Sequence, residues 1–79
     1  MDLVLQEFLI GDASSIEMRN HYLSMARNVL GGNHDSLEIS SDAFHVRISL
    51  DSVAIKSLWN DSAEPATISL NQFIELMSK

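Results

Sequence analysis

Between Phe44 and Leu50 apolar and polar residues alternate without a break. Phe44, Val46, Ile48 and Leu50 fall on one side, His45, Arg47 and Ser49 on the other. A period of two is the pattern of a strand that turns one face to a core. The same alternation, weaker, flanks this run. Before it, Leu37 and Ile39 alternate with Glu38 and Ser40; after it, Val53, Ile55, Ser57 and Trp59 stand opposite Ala54, Lys56 and Leu58. Ser36 to Trp59 therefore predicts three short strands in succession, joined by tight turns at Ser41-Asp42 and Asp51-Ser52. The second turn lacks the glycine that two-residue hairpins favour.

The pattern changes to a helical period upstream. Met18, Tyr22, Met25 and Val29 form one stripe, with Leu23, Ala26 and Leu30 beside it, while Arg19, Asn20, Ser24, Arg27 and Asn28 lie elsewhere. Ser14 and Glu17 stand at the spacing of a capping box, and Gly31-Gly32-Asn33 supplies a stop, so a helix is expected from about Ser14 to Leu30. Its stripe is wide enough to cover the three strands. At the C-terminal end Ser69 and Gln72 repeat the capping spacing. Leu70, Phe73, Ile74 and Met77 follow at i, i+3, i+4 and i+7, a short helix that must dock to persist. Asn60 to Pro65 reads as a loop, and Ala66 to Ile68 as a brief extended piece. The opening run, Asp2 to Ile10, fits either a short helix ended by Gly11 or a strand buried on both sides. Its length favours the strand, with Val4, Phe8 and Ile10 on one face and Leu3, Leu5 and Leu9 on the other. The order is then β-α-β-β-β-α: an α+β fold, with an antiparallel sheet of three to four strands packed against one main helix and a short C-terminal helix.

Seventy-nine residues make one domain, 1–79, with a small core, for which 46% hydrophobic content suffices. There is no cysteine, so disulfides and thiolate metal sites are excluded and a reducing, cytoplasmic setting is expected. The apolar run near the start is too short for a bilayer, and Asp2 stands where a signal peptide would carry a base; neither membrane nor export is expected.

Charge alters the picture more. Eleven acids face five bases, a net charge of −6. That balance disfavours nucleic acid, whose phosphates need clustered Lys and Arg, and favours a basic protein partner. From Asp35 to Glu64 there are six acids against two bases, mostly in turns. Trp59, beside Asn60 and Asp61, is either the last core residue of a strand or an aromatic anchor for a partner.

Catalytic chemistry finds no frame. His21, His34 and His45 match no ligand spacing, although His34 could meet His45 across a hairpin. The serines fit caps, turns and outer strand faces, with no nucleophile elbow, and Gly31-Gly32 opens no phosphate loop. No catalytic, metal or cofactor residue is assigned and no enzyme is expected. The sequence points first to a small acidic, non-enzymatic binding protein. Its concrete form is an inhibitor or immunity protein that blocks the active site of a basic toxin, a nuclease above all, through Asp42, Asp51, Trp59, Asp61 and Glu64. The alternative is an adaptor or assembly subunit docking through a sheet edge or helix. A homodimer would use the apolar surface that Leu58, Ala54 and residues 2–10 leave over on the second sheet face.

Overall fold

The computed structural model describes residues 2–60 and 62–79. Three helices and four strands follow in the order α1 (Leu3–Ile10), α2 (Ile16–Leu30), β1 (Ser36–Ser40), β2 (Phe44–Ser49), β3 (Val53–Ser57), β4 (Ala66–Ile68) and α3 (Leu70–Met77). The strands form one antiparallel meander, β1-β2-β3-β4, and the α+β class stands as expected.

The first element is the correction. Residues 3–10 are a helix, and the fourth strand is the brief extended piece at 66–68. Asp2 decides the first point. Its carboxylate accepts from the backbone N–H of Val4 at 2.8 Å and of Leu5 at 3.4 Å, satisfying donors that open a helix. Val4, Leu5 and Phe8 are then buried on one stripe, while Leu3 and Ile10 face water. A strand would have buried Ile10 with Phe8; in the helix Ile10 is 77% exposed.

The other helices begin and end where local chemistry directs. Ser15, one residue later than expected, caps α2 by accepting from Met18 N–H at 3.1 Å. Its end is closed by Gly32, whose φ of 82° belongs to the left-handed region that glycine enters at no steric cost. The capping box on α3 is complete: Ser69 Oγ accepts from Gln72 N–H, and Gln72 Oε1 accepts from Ser69 N–H, each at 3.1 Å. The β2–β3 turn is centred on Leu50-Asp51, closed by Ser49 N–H to Ser52 O at 2.9 Å.

Register places the two faces of the sheet. Leu37 pairs with Ile48, Ile39 with Val46, Val46 with Ile55, and Val53 with Ile68, so these side chains share the face under the helices. There α2 lies over β1 and β2, α1 over β3, and α3 against α2. At the centre the Phe8 ring sits 5.2 Å from Tyr22, 5.7 Å from Phe44 and 6.4 Å from Phe73. The opposite face carries Glu38, Ser40, His45, Arg47, Ala54, Lys56 and Thr67. It is polar and partly cationic. The apolar second face expected from Leu58, Ala54 and residues 2–10 does not form, because α1 joins the helical layer instead.

Tyr22 is buried, and its hydroxyl donates to Asp12 Oδ2 at 3.4 Å. Burial first, and the Asp12 carboxylate second, push its pKa up from the ordinary 10.0 to about 12. The folded state thus holds the phenolic proton more tightly than the unfolded state. Its stabilising share is complete below pH 10 and is lost as pH rises from 10 towards 12. Tyr22 is the only tyrosine, so phenolate absorbance reads it alone. The native protein should titrate near 12 and the chemically unfolded chain near 10. Coincident curves would mean that the ring is not buried.

Candidate functional site

Successive hairpins alternate between the two ends of a meander, and this sorts the candidate residues. The β1–β2 turn, with Asp42, and the β3–β4 loop, with Trp59 and Glu64, lie at one end. They are tied together by Leu58 N–H donating to Ala43 O at 2.8 Å. The β2–β3 turn, with Asp51, lies at the other end, roughly 17 Å away along a six-residue strand. Asp51 keeps company there with Asp35, next to the Ser36–Ser49 pair. Asp61 lies outside the described residues. Asp42, Trp59 and Glu64 therefore share an end of the sheet, and Asp51 does not join them.

The loop that carries Trp59 is shaped by its own hydrogen bonds. Ser62 Oγ donates to Asn60 Oδ1 at 2.8 Å, and Ala63 N–H to Asn60 O at 3.1 Å. Strand β3 stops at Ser57, so the alternation that would have carried Trp59 into the core is broken. The indole is 62% exposed, and Leu58 is 41% exposed.

Helix α1 adds residues that sequence reading did not assign. Asp2, Leu3, Val4 and Glu7 face Ser57, Asn60, Ala63 and Glu64 across a cleft of about 170 Å³. Three carboxylates thus border it, and no Lys or Arg occurs in residues 1–18 or 57–78. Those two base-free segments hold seven of the chain's eleven acids, and the fold sets α1 beside the 58–65 loop. Sequence carried the signal in the gap between bases, but only the helical form of residues 3–10 brings it to this place.

The remaining clusters are of a different kind. His45 Nε2 lies 3.0 Å from Glu38 Oε1, and its Nδ1 meets Ser40 Oγ at 2.5 Å. A serine, a histidine and a carboxylate are in line, but on the open outer face, with Glu38 58% and His45 34% exposed. Catalysis by such a set needs a walled seat with oxyanion donors, and a flat sheet face does not provide one. His34 precedes β1 at the Ser36–Ser49 end, whereas His45 pairs with Ser40, so the two histidines lie at opposite ends of the strand. Among the described residues no three His, Asp or Glu side chains are grouped to hold a metal ion, and no helix is long and apolar enough to cross a membrane. Comparison with family models, with curated proteins and with solved structures finds no match.

Proposed function

We propose that this chain is a small acidic binding protein, without catalytic activity of its own, that docks on a basic protein and neutralises it. The concrete form is an inhibitor or immunity protein that covers the active site of a basic toxin, a nuclease above all, in the cytoplasm. The observation that carries the reading is the exposed indole of Trp59 at the end of the sheet that holds Asp42 and Glu64, with Asp2 and Glu7 facing Glu64 across the cleft; Asp2, Glu7 and Glu64 lie in segments without Lys or Arg. The −6 field would speed encounter with a cationic surface, and the tryptophan would supply the buried area that holds it. Carboxylates presented in this way occupy the positions that phosphates take in a nuclease site.

The test begins with capture of the partner from the native host at low salt, followed by association kinetics on the purified pair. Between about 50 and 500 mM salt the on-rate should fall about tenfold or more, because steering is screened beyond a Debye length. Reversing Asp42 and Glu64 to lysine should reproduce that loss at constant salt. A partner that is not basic, or an on-rate indifferent to salt and to both reversals, would remove the proposal.

A second reading draws on the edge strand β1. In its ladder with β2 the closed pairs fall on Leu37, Ile39 and Ser41, which leaves the backbone groups of Ser36, Glu38 and Ser40 directed to the open side. An adaptor or a second copy of the chain could add a strand there. Such an association would depend on protein concentration and hardly on salt.

A further inference from the structure

Ser57 occupies the third inward position of β3, after Val53 and Ile55, where an apolar side chain would be the ordinary choice. It is 2% exposed, and its Oγ has no hydrogen-bond partner among the described residues. A hydroxyl taken from water and left unpaired costs stability, so its presence asks for a partner that comes from outside the fold. Ser57 lines the cleft between α1 and the 58–65 loop, whose rim holds the carboxylates of Asp2, Glu7 and Glu64 and the side-chain amide of Asn60.

From these observations we infer that the cleft is a receptor for a guanidinium group, the arginine side chain of the basic partner; the inference rests on the acidic-docking reading above. Every polar group named around the space presents an oxygen that accepts hydrogen bonds. Ser57, with its Oγ buried and unpartnered, stands on the inner side of the lining, and the acidic residues Asp2, Glu7 and Glu64 complete it. A guanidinium is planar, always charged and carries five N–H donors in a fixed fork, so one group can serve several acceptors at once. A lysine ammonium has three donors on a compact, strongly hydrated charge and loses more on entering. The space of about 170 Å³ is several times the roughly 30 Å³ share of a water molecule, room for the head of one side chain. Trp59 does not line the cleft but directly precedes Asn60, which does, and its exposed indole offers a face on which a neighbouring residue of the partner can lie.

The experiment uses the full chain and needs no knowledge of the partner. N-acetyl-arginine amide is titrated at low ionic strength and followed by amide and indole chemical shifts, with N-acetyl-lysine amide as the comparison. Saturable shifts centred on Ser57, Asn60 and Trp59 are expected, with a dissociation constant on the order of 1–10 mM for so small a ligand. The lysine amide should bind about fivefold or more weakly. Glu7→Gln and Glu64→Gln should each weaken the arginine amide about fivefold, and Ser57→Ala about threefold with the fold retained. No saturation, equal binding of the two amides, or binding indifferent to Glu7→Gln, Glu64→Gln and Ser57→Ala would overturn the inference and leave Ser57 to an ordered water. The two proposals fail separately. A salt-steered basic partner whose affinity ignores Glu7→Gln and Ser57→Ala removes the cleft alone. Arginine amide bound in the cleft, beside a natural partner indifferent to salt, removes the docking reading alone.

Discussion

Phe8→Ala should cost about 3–5 kcal/mol and leave the domain largely unfolded at room temperature. The ring is fully buried, and it is the one aromatic in contact with each of the others in the core: edge-on to Tyr22 and Phe44, and tilted against Phe73 at 6.4 Å. Removing it opens a void among α1, α2, β2 and α3 together, and no single element can move in to fill it. Edge-to-face pairs add about 0.5–1.5 kcal/mol beyond buried area, so the loss lies towards the upper part of the range. Against a total of about 5–15 kcal/mol for a domain, and less for one this small, that is most of the margin. Ile10→Ala on the same helix is the control. At 77% exposure it should change stability by no more than about 0.5 kcal/mol. The pair also distinguishes the two readings of residues 3–10, since a strand puts Phe8 and Ile10 on one buried face. Denaturant midpoints for both variants provide the measurement, and comparable losses would contradict the helix.

That ambiguity was real in the sequence. The strand run from 44 to 49 was legible because both neighbours on the sheet demand the same alternation, and α2 and α3 were legible because their caps are local chemistry. In residues 3–10 the buried set is Val4, Leu5 and Phe8, a helical spacing, but Leu3 and Ile10 are apolar too and hide it. The deciding feature, Asp2 accepting from two backbone N–H groups, is a cap of the same kind as those at Ser15, one residue past the expected Ser14, and at Ser69. An apolar run of that length fits a strand as well, and a single capping residue does not outweigh the length. The consequence reached the candidate site. A strand at residues 3–10 gives Asp2 and Glu7 no reason to stand beside Glu64, and only the helix brings them to the cleft that Ser57 and Glu64 line. Asp51 is separated from Asp42 and Glu64 because consecutive hairpins open at opposite ends of a meander, a rule that needs the strand order, which local pattern does not supply. What no local pattern contained was the end of β3. Alternation alone carries Trp59 inward with Val53 and Ile55, and the bend that exposes it depends on contacts with Ala43 and within the 60–63 turn.

The exposure of Trp59 is what a partner would use, and Trp59→Ala should separate binding from folding. With 62% of its surface in water the indole gives the core little, so truncation should move the thermal or denaturant midpoint by no more than about 0.5 kcal/mol. The side chain should therefore respond to soluble quenchers in the free protein nearly as fully as in the unfolded chain. Trp59 is the only tryptophan, so that signal is unmixed. For the partner the expected loss is about 2 kcal/mol or more, roughly thirtyfold in affinity, the range of a tryptophan that becomes central to an interface. The asymmetry has a physical cause. Water covers most of the ring in the free protein, so its transfer from water is deferred to the moment of docking, when a cationic side chain can also lie on its face. The loss should fall on dissociation, since the ring is uncharged, whereas reversal of Asp42 or Glu64 should fall on association. If Trp59→Ala left partner affinity unchanged while the charge reversals still slowed encounter, the acidic end would be steering towards a contact made elsewhere. The edge of β1, five residues long with Leu37 and Ile39 half-buried, would then be the surface to truncate next.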